Sequence, residues 1–295
     1  MEKTLKDWIV ATRPWSFPAS TMPVAVTLCY LYWTGESIDW VGGIWALIAM
    51  VAFQAAGNTW SDYFDFKHKV DAQDTYGSKT LTSGLFAPEE IFRLSLGLLA
   101  LSLVLGIGLL CYTGLPLLYV GLGGVLCTLL YPPLKYRALG DVVIFFAYAL
   151  LPMLGTSYVA VGAFLPKVLW LSLPVGFITV AILHANNTRD IQTDERADIL
   201  TLPMKISAKQ AVSIYRFEVL FPFVWIVGCI VAGVFPVWTL LAVLALKFAY
   251  DNVTLMSSFL VKGQEGIAIL DERTAQLQLM FSVLLVLSFL LAVWI

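Results

Sequence analysis

Charged residues are scarce: Lys, Arg, Asp and Glu together make up 13% of the 295 residues, about half the usual share of roughly 25% in soluble domains. That shortage, with 59% apolar residues, excludes an ordinary soluble fold and places the chain in a bilayer. Histidine is rarer still, at two residues, His68 and His184. Each stands alone, with no nucleophile nearby in sequence, and reads as a local hydrogen-bonding group before a catalyst. The four cysteines, Cys29, Cys111, Cys127 and Cys229, lie in apolar runs without C-x-x-C spacing; this excludes a disulfide framework or thiolate metal site and leaves packing thiols. A net charge of −2 argues against nucleic acid as a partner. No P-loop, dinucleotide fingerprint or Ser/His/Asp spacing is present.

What the chain has instead is long apolar runs. Bounded by Gly, Pro and charge clusters, they predict membrane helices near 15–34, 40–66, 88–112, 114–131, 138–161, 166–190, 207–233, 236–259 and 273–294. The expected fold is therefore all-α, a polytopic membrane protein of nine transmembrane helices. The first residues, MEKTLKDWIVATRPW, lack a signal-peptide core and read as an interfacial helix leading into the first span. Connections alternate between short ones (TGESID, YTG, GAFLP, GVFP) and longer polar ones around 67–87, 132–141, 189–209 and 260–273. Sixteen of the eighteen Lys and Arg residues fall at or near the face that carries the longer connections and the N-terminal segment. The positive-inside rule then puts that face and the N-terminus in the cytoplasm. The short N-terminal stretch favours a bacterial inner membrane.

Span 2 ends in Asn58, Asp62 and Asp65, and span 6 in Asn186, Asp190 and Asp194. The N-x-x-x-D unit thus recurs after four spans, which predicts one domain over 1–295 built from two four-helix halves, about 15–131 and 138–259, plus a last helix at 273–294. Spacings of four, seven and eight put each set on roughly one helix face. Carboxylates cost ~2.5–3.5 kcal/mol each at the centre of a membrane helix and repel one another, so such stripes call for cations. Oxygen ligands without His or Cys suit Mg²⁺, which binds through a few carboxylates plus water and substrate phosphates. The donor set therefore predicts a phosphate-bearing substrate. Asp71, Asp74, Glu195 and Asp198 add acid nearby, and Lys67, Lys79, Lys135, Arg137 and Arg189 supply charge for phosphate oxygens. A Lys247–Asp251 pair in span 8 reads as mutually neutralised inside the bundle, or as lining the site.

Four segments carry a resemblance that extends over nearly the whole chain: Arg13-Pro-Trp-Ser-Phe17, the stretch from Asn58 to Asp71, Lys135-Tyr-x-Ala-Leu-Gly-Asp141, and Ile182-Leu-His-Ala-Asn-Asn-Thr-Arg-Asp190 with Asp194. In these the chain resembles the intramembrane aromatic prenyltransferases of the UbiA superfamily, most of all the 1,4-dihydroxy-2-naphthoate polyprenyltransferase branch and its animal menaquinone-synthesising relatives. The resemblance implies nine helices around a central cavity, open sideways to membrane lipid and capped by cytoplasmic loops. It implies Mg²⁺ and the donor diphosphate held by Asp62, Asp65, Asp71, Asp190 and Asp194 with Asn58 and Asn186, and Lys135 on the diphosphate. Ser61, Lys69 and Ile199-Leu200 depart from the branch pattern, with Lys79 or Lys205 as substitutes for a missing phosphate-binding lysine. The implied reaction joins a polyprenyl group from polyprenyl diphosphate to 1,4-dihydroxy-2-naphthoate with decarboxylation. Other acceptors, such as 4-hydroxybenzoate, homogentisate, haem or chlorophyll precursors, stay open. So do two readings of other classes, a cation-coupled transporter and a non-catalytic lipid-binding or scaffold protein.

Overall fold

The computed structural model describes residues 3–67, 79–135 and 137–295; Asp71, with His68, Lys69 and Asp74, lies outside them. Among the described residues the chain is helical throughout, with a lone parallel bridge between Arg137 and Leu200. Helix α1 (Leu5–Ala11) starts at Thr4, whose side chain and that of Asp7 cap each other's backbone. Its Leu5 and Ile9 are exposed while Ala11 is buried, as befits a helix lying at a membrane surface. Helices α2 (Pro18–Trp33), α3 (Trp40–Lys67), α4 (Pro88–Thr113) and α5 (Leu117–Lys135) follow. Next come α6 (Gly140–Phe145), a π-helical turn (Phe146–Leu150) and α7 (Leu151–Val161), ended by Gly162 at φ 78°, a left-handed conformation that glycine adopts without strain.

Helix α8 (Leu169–Arg189) leads into α9 (Ile191–Arg196), the short α10 (Leu202–Lys205) and α11 (Ala208–Val231). A 3₁₀ stretch, Val237–Ala245, runs into α12 (Leu246–Ser257), then α13 (Phe259–Lys262) and α14 (Leu270–Trp294). Among the described residues seven helical stretches, those of α3, α4, α6–α7, α8, α11, α12 with its flanks, and α14, are long and apolar enough to cross a membrane. Helix α2, at 16 residues, and α5, apolar over Leu117–Thr128, stand where the other two of the nine expected spans fall. They are shorter because α2 begins only at Pro18, after the Pro14–Ser16 turn, and α5 carries the Pro-Pro-Leu-Lys run at its polar end.

Helix α8 is the central element: 67% of its most apolar stretch is buried, against 17% for the peripheral α4. The main core joins α2, α8, α11, α12 and α14, with Tyr30, Phe235 and Phe289 meeting edge to face. Gly176 lets α8 approach the bend between α6 and α7, since a Cβ there would stand 2.6 Å from the Phe145 ring and 2.8 Å from the Ala149 methyl. That approach seats the π-helical turn, and with it Tyr148, next to the centre of the bundle.

The Lys247–Asp251 pair forms at 2.8 Å, but Lys247 is 86% exposed. It lies on the outer face of α12, not inside the bundle. The alternation of apolar and polar residues on this helix turns both charges away from the buried Ala249, Asn252 and Val253. Cys29 and Cys229 are packed as expected, whereas Cys111 faces outward.

Candidate functional site

The polar ends of α3, α5, α8 and α14 come together at one end of the bundle. On α3 the stripe begins at Gln54, one turn before Asn58 and two before Asp62. Gln54 donates to Asn58 Oδ1 at 3.1 Å, and Asn58 Nδ2 donates to the Thr12 carbonyl and Ser16 Oγ, both at 2.8 Å. Asn58, expected as a metal and diphosphate ligand, is thus used in this structure to moor the α1–α2 junction to α3. That junction in turn presents Arg13, whose φ of 57° is left-handed, a cost of ~1–3 kcal/mol for a non-glycine residue. Arg13 donates to Asp62 Oδ1 at 3.0 Å, and Asp62 is only 3% exposed. One turn on, Ser61 donates to Asp65 at 2.9 Å.

The second motif does not stay on one helix face. Asp190, at φ −93° and ψ 12°, ends α8, and Asp194 sits on α9. The turn is held by Arg189, whose guanidinium pairs with both Asp190 oxygens at 2.8 and 2.9 Å and with Asp271 of α14 at 2.6 Å. Asn186 reaches the same Asp271 oxygen at 3.5 Å. Arg189, expected on the diphosphate, is buried among carboxylates and acts here as their countercharge. Asp271 was not singled out in the sequence, because an Asp in the first turn of a helix is an ordinary favourable placement.

Asp194 is where the two motifs meet: it is buried, and the charges of Lys135, Asp190, Asp65 and Arg189 all reach it. Burial is the largest influence and, with its acidic neighbours, pushes this carboxyl up to about 7, while Lys135 pulls the other way. The sign matters for stability. Unfolded, the group loses its proton near 3.8; folded, near 7. The stability it lends is therefore full at acid pH and is lost as pH rises through 7. In metal-free protein the melting temperature should fall from about pH 4 to about pH 7, and Asp194→Asn should flatten that fall; an unchanged slope in the variant would contradict the assignment.

Among the expected cations, Lys135 converges with both motifs, and Tyr131, one turn before it on α5, feels the charges of Lys135 and Asp65. Lys67 is exposed, its ammonium 5.9 and 6.0 Å from the Tyr63 and Phe64 rings, and Lys79 is exposed as well. Lys205 donates to the Arg137 carbonyl at 3.0 Å. Behind the site, His184 is fully buried with Nδ1 3.3 Å from Glu218 Oε2, a packing and pairing role in line with the modest expectation for it.

The donor set fits Mg²⁺. It is all oxygen, and a buried oxygen on each of Asp194 and Asp271 has no hydrogen-bond partner among the described residues. No three His, Cys, Asp or Glu side chains among those residues form a ready-made cage. That suits an ion that keeps waters and completes its shell with substrate phosphate oxygens.

Comparison with known proteins bears on the family and the fold. The sequence profile of the UbiA prenyltransferase family matches residues 21–258. The chain is 30% identical over 293 residues to UbiA prenyltransferase domain-containing protein 1 of Danio rerio, covering 97% of this chain and 84% of that protein. It is 28% identical over 296 residues to the Homo sapiens protein of the same name, with 97% and 84% covered. Among solved structures, a UbiA homolog from Aeropyrum pernix K1 superposes with a TM-score of 0.66 at 13% identity, over 92% of this chain and 97% of that one. A UbiA homolog from Archaeoglobus fulgidus bound to GPP and Mg²⁺ gives 0.59 at 14% identity, over 98% and 100%. At such identities the structural likeness speaks for the fold.

Proposed function

The chain belongs to the UbiA prenyltransferase family, and from that premise we propose that it transfers a polyprenyl group from polyprenyl diphosphate to 1,4-dihydroxy-2-naphthoate, with loss of the ring carboxylate, to give a demethylmenaquinol. The observation that carries this is the meeting of two acidic motifs and Lys135 at one end of an apolar helical bundle. The choice of acceptor draws on the Lys135–Asp141 and Ile182–Asp194 segments, which resemble the naphthoate branch. Clustering of the charges at one end, with none of these acids at mid-membrane, speaks against a cation-coupled transporter. The distribution of Lys and Arg supports a multi-pass membrane protein with the polar end cytoplasmic.

Asp62, Asp65, Asp190 and Asp194 would hold Mg²⁺, with Asn58 and Asn186 beside them; once bound, it neutralises the charge on the departing diphosphate. The relative with GPP and Mg²⁺ lends support to both ligands. Lys135 supplies a fixed positive charge where diphosphate oxygens approach, and such preorganised charge is worth more at a drying site than in water. The allylic C–O bond breaks as the diphosphate gains its charge, leaving an allylic cation. The apolar bundle keeps water from it, and aromatic faces stabilise such a cation by ~0.5–2 kcal/mol each; Tyr131 and Tyr148 stand at the inner edge of the polar cluster. The electron-rich ring carbon then forms the new C–C bond and CO₂ leaves.

The test is product formation by purified protein in detergent or lipid from a polyprenyl diphosphate and either 1,4-dihydroxy-2-naphthoate or 4-hydroxybenzoate, with and without Mg²⁺. A Mg²⁺-dependent, decarboxylated prenyl naphthoquinol is expected. Prenylation of the benzoate alone would move the protein to another branch of the family.

A further inference from the structure

Gln54 lies in an apolar stretch of α3 and is 5% exposed, and the network around it fixes which way its amide points. The Thr12 carbonyl can only accept, so the Asn58 atom facing it at 2.8 Å is the amide nitrogen, and Asn58 Oδ1 is left to receive a hydrogen from Gln54 Nε2 at 3.1 Å. Ser16 agrees with this. Its own hydrogen goes to the Arg13 carbonyl at 2.9 Å, so its oxygen accepts from both amides, at 2.8 Å from Asn58 and 3.5 Å from Gln54. Both amide hydrogens of Gln54 are thereby used, and its carbonyl oxygen Oε1 is turned to the other side. That oxygen is buried and has no hydrogen-bond partner among the described residues. A buried acceptor without a donor destabilises the fold, so one held in place by its neighbours calls for a donor from elsewhere.

Gln54, Asn58 and Asp62 recur every fourth residue and share one face of α3. Gln54 therefore stands two turns further into the apolar bundle than Asp62, about 12 Å at ~1.5 Å per residue. Beside it is Tyr148 of the π-helical turn, whose phenol reaches the Gln54 side chain and feels the charge of Arg13. Tyr131 in turn feels Tyr148, Lys135 and Asp65. A lone hydrogen-bond acceptor, two tyrosine rings and the ionic groups of the site are thus linked in series, from the interior of the bundle to its polar end.

A ligand matched to this series has a flat apolar body, a neutral donor at its inner end and its negative charge at the other. A carboxylate cannot take the inner position, because it and Gln54 Oε1 are both acceptors; a ring hydroxyl can. In 1,4-dihydroxy-2-naphthoate the 1-hydroxyl is engaged by the neighbouring carboxylate, whereas the 4-hydroxyl, on the far side of the ring, is available to donate. We propose that Gln54 Oε1 accepts the hydrogen bond of the acceptor's 4-hydroxyl, and so selects a hydroxylated ring. The carbon that carries the carboxylate, where the new C–C bond forms, then faces the charged end of the bundle and the donor. This rests on the prenyl-transfer reading above.

The experiment measures dissociation constants for 1,4-dihydroxy-2-naphthoate and for 1-hydroxy-2-naphthoate, which lacks only the 4-hydroxyl, by calorimetry on the full chain in detergent with Mg²⁺ and inorganic diphosphate. Wild type should favour the dihydroxy compound by about 5- to 150-fold, the range expected when a missing hydroxyl leaves a buried acceptor unpaired. Gln54→Met, similar in length but without hydrogen-bonding groups, should bring that preference close to unity. The substitution also releases Asn58, a loss that touches both compounds alike and cancels in the ratio. Weaker binding of both with the preference intact would overturn the proposal and leave Gln54 as a mooring for Asn58. Equal affinities in wild type would overturn it with no variant needed. If turnover shows 4-hydroxybenzoate to be the acceptor, the pair becomes 4-hydroxybenzoate and benzoate, with the same expectation. A wild-type protein that prenylates no acceptor would overturn the prenyl-transfer reading itself, a result separate from an active protein without a hydroxyl preference.

Discussion

Asp62→Asn and Asp190→Asn should each lower prenyl transfer by ~10²–10³-fold, the cost of removing one preorganised charged group from a site where charge develops in the transition state. Both substitutions preserve shape. Asn at position 62 keeps a carbonyl oxygen where Oδ1 now accepts from Arg13, and Arg189 keeps Asp271 when Asp190 is neutralised. The two variants should therefore fold, with wild-type circular dichroism, while apparent Mg²⁺ affinity falls together with rate. The two motifs sit on different helices, α3 and α8, so an effect at only one of them would mean that a single motif does the work. Near-normal rates in either variant would sink the two-motif arrangement. A non-catalytic lipid-binding or scaffold role predicts that both substitutions are silent.

These positions could be read from sequence because charge inside an apolar run is conspicuous. Asp62 and Asp190 close N-x-x-x-D units at the ends of predicted spans, and the helices form where apolar periodicity and Pro or Gly boundaries put them. What spacing could not convey was which distant groups would meet the motifs. Asn58 has the residue type and register of a ligand, yet its amide hydrogens go to Thr12 and Ser16, 46 and 42 residues away. The turn at Asp190 is invisible to a count of i, i+4 and i+8, because it depends on Arg189 reaching forward to its neighbour and across to Asp271, 82 residues on. Lys247 and Asp251 were correctly paired, but a four-residue spacing says nothing of which way that helix face turns. In each case the missing information is tertiary, a contact between segments far apart in the chain.

Arg189 is the position where that tertiary information has the largest consequence for stability. Its side chain is about 4% exposed and holds two carboxylates, one on its own motif and one on α14. Removing one partner of a buried ion pair leaves uncompensated charge and typically costs ~3–5 kcal/mol. Arg189→Met should therefore lower thermal stability sharply and take activity with it, by loosening the α8–α9 turn that aims Asp190 and Asp194. Asp271→Asn in the same chain should restore part of the loss, since it removes one of the two stranded charges, and the double-variant cycle should show a coupling of ~0.5–3 kcal/mol. If Arg189 instead served chiefly as a diphosphate ligand, Arg189→Met would raise the KM for the donor while the melting temperature of the ligand-free protein held, and Asp271→Asn would rescue nothing. The melting curve without substrate decides between the two roles, because only the countercharge role acts before any ligand binds.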